Sequence, residues 1–281
     1  MNTSLSLNLP FNYIQSIRLA HAIMETNYDI YIPREDENKF IPLKQKFGIK
    51  YKIITIPDSV PSEIKISHKE PKTSIGSINR SLIFPHQIFS YCKSLWSDNR
   101  NIQFSFAGLI TENRKQFFRR FVKINYPDSK FNFKKLALLE LQSKFKSKIE
   151  HKIGVHNIPK AIKFKYNKIL FWSSERGRNF PVKVWDDDYF RLLASSKFVL
   201  CPSGDYTWSY RFFEACRCGA IPIIEDFCSI YDGYRFKTIN EPLNTIIWSK
   251  KDAEHNYNLC QSRLTVPLDR LQEEIAELLY L

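Results

Sequence analysis

Residues 197–226 read KFVLCPSGDYTWSYRFFEACRCGAIPIIED, and this stretch decides the fold. Residues 198–201 are a short apolar run, which is typical of a buried strand, and the Pro-Ser-Gly sequence that follows ends it. The pattern then predicts a helix over residues 209–218, ended by Gly219 in a left-handed cap. Residues 220–224 form a second apolar run, so the whole stretch is predicted to be a β-α-β unit of a parallel sheet.

The loop between the first strand and the helix is the candidate binding site. In open α/β sheets, ligands bind at the carboxyl ends of strands and against helix N-termini, where free N–H groups and the helix dipole suit a diphosphate without a metal. Arg211, in the first turn, is placed to bond a phosphate, and Glu214 on the same face suits ribose hydroxyls; an Arg211–Glu214 pair on a solvated surface is the structural alternative. The candidate residues in this stretch are Ser203, Gly204, Asp205, Tyr206, Thr207, Ser209, Arg211 and Glu214.

Residues 201–224 resemble the donor-binding signature of the exostosin-like glycosyltransferases. In that family a C-P-x-G or P-P-G-D turn precedes a helix with an acidic residue and an A-G-C-I-P-type ending. A second element, Phe106-Ala107-Gly108 followed by Arg114, is similar to the family's F-A-G strand end, and the resemblance covers about residues 100–230. The positions that match the first motif, without gaps, are Gly204, Ser209, Arg211, Glu214, Gly219, Ile221 and Pro222.

The resemblance implies an α/β protein of the GT-B type, with two Rossmann-like domains facing a cleft and the N-terminal one reduced. It also implies a hexosyltransferase-like enzyme that moves a sugar from a UDP-sugar donor to a glycan or glycolipid of a surface polysaccharide, with no cofactor and no divalent metal. Glu214 would hold the ribose, and residues 203–211 and Arg114 would hold the diphosphate. Arg176 and Arg178, in a loop after a predicted strand over residues 168–172, are further candidate phosphate ligands.

The alternation of helices and strands suggests two domains. Residues 1–98 are predicted to be the acceptor-side Rossmann-like domain and residues 99–281 the donor-binding one. The final helix is expected to pack back onto the first domain. In the first domain the pattern predicts helices over 12–26, 37–47 and 80–97, strands over 28–32 and 49–56, and a loop over 57–79. In the second it predicts strands over 102–107 and 168–172 and helices over 112–124, 135–149, 186–194 and 267–280.

An inverting transferase needs a general base, and two histidines are candidates. His86 follows Pro85 near the end of the first domain, and His21 lies in the first helix, although a lone histidine on an apolar helix is more often structural. A retaining enzyme would need no such base.

Residues 186–188 form a D-x-D pattern, which binds manganese in the other major glycosyltransferase fold. Here the pattern begins a predicted helix, and capping explains it more simply than a metal site does.

The composition narrows the class of partner. A hydrophobic fraction of 43% is ordinary for a globular chain, and a net charge of +13 predicts an anionic partner such as a phosphate-bearing donor, an acidic glycan or a membrane face. No nucleic-acid-binding module is recognised, so nucleic acid is not expected.

Six cysteines without a C-x-x-C pair indicate buried thiols rather than zinc ligands. With no secretory signal and no long apolar run, the expected location is cytoplasmic, with peripheral membrane contact. The short first domain leaves a second hypothesis: a catalytically inactive subunit that binds nucleotide or glycan.

Overall fold

A computed structural model describes residues 4–7, 9–11, 13–54, 64–67, 69–129, 162–173, 185–204, 206–242, 245 and 247–280. The chain divides into two compact units. Unit 1 comprises Met1–Ser94, Asn179–Asp187 and Asn258–Leu281, and unit 2 comprises Leu95–Arg178 and Asp188–Tyr257.

Unit 1 begins with a small parallel sheet. Its strands β1 (Ser4–Ser6), β2 (Asp29–Pro33) and β3 (Lys52–Ile54) pair in chain order. Helices α1 (Ile14–Ile23) and α2 (Glu37–Phe47) connect them. The left-handed conformation of Gly48, with φ 68°, ends α2 at the predicted residue.

The predicted loop over residues 57–79 is wrong where the chain is described. Strands β4 (Ile64–Ser67), β5 (Lys72–Ile75) and β6 (Ile78–Arg80) form an antiparallel sheet there. The tip between β5 and β6 is fastened from far along the chain, since the Ser77 amide and hydroxyl both donate to the Glu274 carboxylate. The three strands are short and rich in lysine and serine, so the sequence pattern did not predict them. The contact with Glu274 comes from a distant part of the chain, so it has no local sequence pattern either.

Helix α3 (His86–Ser94) begins later than the helix predicted over residues 80–97. Pro85 precedes it, and residues 82–85 have no regular structure. The Glu25 carboxylate accepts the amide hydrogens of His86 and Gln87 at 2.8 and 2.7 Å, so a distant side chain caps this helix.

Unit 2 contains a six-stranded sheet in the order β12-β11-β10-β7-β9-β8. All neighbouring strands are parallel except β8, an antiparallel edge strand that the sequence analysis did not predict. The α/β class with Rossmann-like parallel sheets is therefore confirmed. The strands are β7 (Ile102–Gly108), β8 (Ile162–Tyr166), β9 (Ile169–Ser173), β10 (Ser196–Cys201), β11 (Ile221–Ile224) and β12 (Lys237–Thr238).

Three helices in unit 2 agree with the predicted ones: α4 (Glu112–Asn125), α5 (Asp187–Ala194), whose first residue belongs to unit 1, and α6 (Tyr210–Arg217). The core between α4 and the sheet is largely phenylalanine. Phe104 and Phe106 of β7 pack edge-on against Phe121 and Phe118 of α4, and burial of each ring stabilises the fold by roughly 1.5–3 kcal/mol.

Two helices complete the described chain. Helix α7 (Lys250–Leu264) was not predicted, and its last residues, from Asn258, belong to unit 1. Helix α8 (Leu268–Tyr280) agrees with the predicted final helix and also lies in unit 1. The helix predicted over residues 135–149 lies outside the described residues. Among the helices described, none has the length and apolarity needed to cross a membrane.

Candidate functional site

The carboxyl ends of the parallel strands of unit 2 meet at one edge of the sheet. Strands β7, β10 and β11 end at Gly108, Cys201 and Ile224, and the pairing of β10 with both neighbours is parallel. The loop of residues 202–209 leaves this edge and leads into α6. The sequence predicted a ligand site at this position.

The start of α6 is held in place but is not capped by a side chain. Ser209 is the N-cap residue in an extended conformation, and its amide donates to the Tyr231 hydroxyl at 2.9 Å. The ring of Tyr231 stacks on Phe212 with centroids 3.8 Å apart, which fixes that hydroxyl. The Ser209 hydroxyl makes no cap hydrogen bond and is buried without a partner among the described residues. The helix therefore begins with unused hydrogen-bonding capacity.

Arg211 connects the first turn of α6 to the end of β7. Its Nε donates to the Ala107 carbonyl at 2.9 Å, and the guanidinium lies 4.4 Å over the ring of Phe106. Only 9% of the residue is exposed. Within the described part of the chain, Nη1 is buried and has no hydrogen-bond partner. A buried cationic donor without a partner is costly, so this nitrogen has capacity for an anion.

Arg114 lies against the turn at Gly204, which the sequence placed in the same site. Its Nη1 donates to the Leu109 carbonyl at 2.7 Å, just after β7. Its Nη2 is 3.0 Å from the position that a Cβ atom on Gly204 would occupy. The structure thus brings Arg114 and Arg211 to the end of the same strand. Two guanidinium groups there raise the local positive charge beside the helix N-terminus.

Both carboxylate oxygens of Glu214 have partners within the protein. Its Oε2 accepts a 2.6 Å hydrogen bond from the Tyr189 hydroxyl, and its Oε1 lies 3.8 Å from Nη2 of the fully buried Arg217. The structural alternative was an ion pair with Arg211 on a solvated surface, whereas the structure pairs Glu214 with the buried Arg217. About 13% of the Glu214 side chain is exposed. A carboxylate has about four acceptor sites, so capacity for ligand hydroxyls remains.

The loop side chains are more exposed. Tyr206 is 41% exposed, and its ring is parallel to that of the buried Trp208. The hydroxyl of Ser203 donates to the Thr207 carbonyl at 3.4 Å. The Thr207 hydroxyl lies 3.8 Å from the sulfur of Cys228. The three remaining predicted ligands, Asp205, Arg176 and Arg178, lie outside the described residues.

The two candidate histidines are both in unit 1 and both make structural contacts. The Nε2 of His86 hydrogen bonds to the Val266 carbonyl at 2.8 Å; because a carbonyl only accepts, this nitrogen carries the hydrogen. His21 is fully buried, and its Nε2 bonds to the Gln87 side chain at 3.0 Å. Burial lowers the pKa of His21 to about 3, so it is neutral at physiological pH.

Asp187, the middle residue of the D-x-D pattern, is held by three side chains of unit 1. Its Oδ1 accepts hydrogen bonds from Tyr91 at 2.6 Å and from Trp185 at 3.0 Å, and it pairs with Lys46 at 2.8 Å. Burial acts to raise the pKa of Asp187, but these hydrogen bonds outweigh it and lower the pKa to about 2. In the ranges that the structure covers, no group of three or more His, Cys, Asp or Glu is arranged to hold a metal ion.

Sequence reasoning did not identify Tyr189, Arg217 or Glu225. Arg217 lies three residues after Glu214 on the same helix, so an i,i+3 spacing offered a signal for it, whereas Tyr189 lies on another helix and no local pattern relates it to Glu214. Glu225 follows β11 directly, so the rule that strand ends carry ligands offered a signal for it. Burial raises the pKa of Glu225, and Asp226 adds to that shift, while Arg120, 3.6 Å away, opposes it.

Unit 1 carries a separate cavity of about 500 Å³. It lies after the ends of α1 and α2 and at the starts of β2 and β3, beside residues 24–30 and 48–52. Ligands of parallel sheets bind at the opposite, carboxyl ends of the strands. None of the predicted donor-site residues lines this cavity, and its Glu25 carboxylate already caps α3.

The family model described as RXYLT1 C-terminal domain matches residues 142–244, which is less than half of the chain. The match includes β10, α6 and β11, which carry the candidate site. Ribitol-5-phosphate xylosyltransferase 1 from Homo sapiens is 39% identical over 62 residues, and the Mus musculus protein gives the same values. The match spans 21% of this chain and 14% of each relative. The chain is thus similar to glycosyltransferases over this segment, and the finer likeness to the exostosin-like family stays a prediction.

The similarity to solved structures is weaker. Anabaena Alr3699/HepE in complex with UDP and glucose is 12% identical, with 95% of this chain and 67% of that chain covered at a TM-score of 0.36. The pneumococcal O-GlcNAc transferase GtfA in complex with UDP and GlcNAc is 12% identical, with 90% and 46% covered at a TM-score of 0.34. At such scores the likeness adds nothing to the fold described above.

Proposed function

We propose that this chain is a glycosyltransferase whose unit 2 binds a nucleotide-sugar donor, most simply a UDP-sugar, at the carboxyl edge of β7 and β10. One observation carries the proposal. At the start of α6 the Ser209 hydroxyl and the Arg211 Nη1 are both buried without partners among the described residues, beside a helix N-terminus that lacks a side-chain cap. A diphosphate has the charge and the acceptor oxygens to satisfy both groups.

The diphosphate lies between the Gly204 turn and the first turn of α6, with Arg114 on its other side. The positive groups then stabilise the charge that develops on the leaving nucleoside diphosphate. Both unpartnered atoms are shielded from solvent in the structure, so the proposal requires residues 202–208 to move when the donor binds. The exposure of Tyr206 and Thr207 is compatible with such movement.

The nucleoside ribose lies against Glu214, whose remaining acceptor sites suit two adjacent hydroxyls. Unit 1, with its three-stranded parallel sheet, then binds the acceptor. His86 remains a candidate general base only through Nδ1, since Nε2 donates to Val266. Its role depends on an acceptor hydroxyl reaching that nitrogen.

The acceptor is a glycan or glycolipid that carries negative charge. The net charge of +13 supports an anionic partner. The matched relative, by its name, pairs sugar transfer with a phosphorylated polyol, which agrees with such an acceptor. Transfer needs no divalent metal in this proposal, and a cytoplasmic location at a membrane face stays a prediction from the sequence.

Nucleotide titration of the purified chain tests the proposal. Isothermal calorimetry with UDP, GDP, ADP and CDP, each in EDTA, is expected to show binding selective for one base. Arg114→Ala is expected to weaken that affinity roughly tenfold, because a charge-assisted hydrogen bond is lost. The control is Arg119→Ala on the same helix, an exposed arginine whose partner is Glu112. Absence of binding by any nucleoside diphosphate would overturn the proposal.

A catalytically inactive subunit is the second candidate. The parallel sheet of unit 1 favours it, since its strands are short in the part of the chain that the structure describes and there offer little scaffold for an acceptor site. Donor hydrolysis and transfer assays separate the two functions. Slow release of UDP from UDP-sugars by the wild-type chain supports the enzyme, whereas tight binding without any turnover supports the inactive subunit.

A further inference from the structure

The Glu214 carboxylate is held by a hydrogen bond from a different helix. The Tyr189 hydroxyl, on α5, donates to Oε2 of Glu214, on α6, at 2.6 Å. Burial and the negative charge of Glu214 raise the pKa of Tyr189 well above its ordinary value. The phenol therefore keeps its hydrogen at every physiological pH and always acts as the donor in this pair.

The second holder acts on the other oxygen. Nη2 of Arg217 lies 3.8 Å from Oε1, so each carboxylate oxygen has a protein partner: a hydrogen bond at Oε2 and an ion pair at Oε1. Arg217 is fully buried, and Glu214 is its partner in this ion pair. Removal of the Glu214 charge therefore perturbs a buried cation as well as the site, whereas loss of the Tyr189 hydroxyl leaves the ion pair in place.

We propose that Tyr189 is a positioning residue that orients Glu214 toward ribose, so that the site prefers ribonucleotides to their deoxy analogues. This inference rests on the proposed function, in which Glu214 accepts hydrogen bonds from the donor's ribose. A carboxylate that is already oriented loses little rotational freedom when two adjacent hydroxyls bind it. Without the Tyr189 hydroxyl the carboxylate samples more rotamers, and the hydrogen bonds to both ribose hydroxyls weaken together.

The experiment measures a ratio of affinities. Calorimetry gives dissociation constants for UDP and for 2′,3′-dideoxy-UDP with the wild-type chain, Tyr189→Phe and Glu214→Gln. The wild type is expected to prefer UDP at least tenfold, because two hydrogen bonds to a charged acceptor are lost in the analogue. Tyr189→Phe is expected to reduce that preference three- to tenfold, with the affinity for the dideoxy analogue unchanged. Glu214→Gln is expected to remove most of it.

The matched control is Tyr91→Phe. Tyr91 also donates to a carboxylate at 2.6 Å, but that carboxylate is Asp187 in unit 1. Tyr91→Phe is expected to lower thermal stability without changing the preference for UDP, so it separates loss of a buried hydrogen bond from loss of ribose recognition. Circular dichroism checks that each variant remains folded.

The outcomes separate the inference from the function on which it rests. If the wild type binds no nucleoside diphosphate, the proposed function fails and the inference fails with it. If the wild type prefers UDP but Tyr189→Phe keeps the full preference, only the inference is overturned. Should Tyr189→Phe not fold, Glu214→Gln decides, since an unchanged preference in that variant rules out ribose recognition by Glu214.

Discussion

Arg211 occupies the space where a side chain on Gly108 would lie. Its Nη2 is 2.5 Å from the position of a Cβ atom on that glycine, which ends β7 with φ 144°. The F-A-G sequence of the strand end therefore has a structural reason that is independent of any ligand. The glycine lets the guanidinium reach the Ala107 carbonyl and lie over Phe106.

Gly108→Ala is expected to destabilise the fold by about 1–3 kcal/mol through backbone strain alone, and to displace Arg211 as well. Nucleotide affinity should fall with it if Arg211 Nη1 contacts the diphosphate. The matched control is Gly48→Ala, since Gly48 also has positive φ but has nothing within 4 Å of its Cβ position. Thermal melts and UDP titrations of both variants give the comparison. Equal UDP affinity in the two variants would show that Arg211 has only a structural role.

Arg100→Leu is expected to be among the most destabilising changes in unit 2. Its guanidinium donates to three carbonyls, those of Ala194, Ser196 and Cys218, at 2.6–3.0 Å. It also lies near the rings of Trp96 and Trp248. Leaving three buried carbonyls without a donor costs about 3 kcal/mol or more. Chemical denaturation measures the loss, and Arg119→Leu, at an exposed position of α4, is expected to change stability by less than about 0.5 kcal/mol.

His21 predicts a pH dependence of stability. Its pKa is about 3 in the folded chain, below the ordinary value of 6.5. Between these values the unfolded chain binds a proton that the folded chain does not, so stability falls as the pH drops from 6.5 toward 3. The loss is on the order of 4 kcal/mol across that window. Equilibrium denaturation from pH 7.5 to pH 4 measures it.

His21→Gln is expected to flatten this pH profile, because glutamine does not titrate. The control is His255→Gln on the exposed side of α7, which should leave the profile steep. A profile that stays equally steep in His21→Gln would assign the acid sensitivity to other groups, among them the carboxylates that lose their ion pairs.

Local sequence patterns predicted the helices and strands that are marked by apolar runs or by a glycine cap. Helix α2 ends before Gly48, because a left-handed cap favours glycine. Two apolar runs predicted strands β10 and β11, and Gly219 predicted the end of α6 between them. Helix α7 was missed although its buried residues have helical spacing, because one of them is the polar Asn256. That side chain bonds to the backbone of Arg235, a contact that only the fold reveals. The buried face of α7 is formed by Ala253, Asn256, Tyr257, Cys260 and Leu264.

In the candidate site, too, local sequence patterns predicted some residues, whereas contacts from distant parts of the chain were not predicted. Arg114, Gly204 and Arg211 were found because each follows a strand end or begins a helix, where ligands of α/β sheets bind. The environment of Glu214 was not predictable, since Tyr189 comes from another helix and no spacing relates the two residues. Sequence reasoning therefore predicted the candidate site and its two arginines, but not the contacts that orient the Glu214 carboxylate.

Sugar transfer by this chain is expected to continue in EDTA. In the proposed function, Arg114, Arg211 and the N-terminus of α6 stabilise the charge of the leaving diphosphate in place of a divalent cation. Asp187, the middle residue of the D-x-D pattern, is bound to Tyr91, Trp185 and Lys46. Asp187→Asn should lose less stability than the wild type as the pH falls below 3.8, because the lowered pKa of Asp187, about 2, makes its ionised form stabilising above that range.

Asp186→Asn and Asp188→Asn, which remove the two outer carboxylates of the pattern, separate the two mechanisms. Each variant should keep the wild-type turnover and its insensitivity to EDTA. Turnover that is abolished by EDTA and by either substitution, and restored by manganese in the wild type only, would show instead that the D-x-D carboxylates hold a catalytic metal.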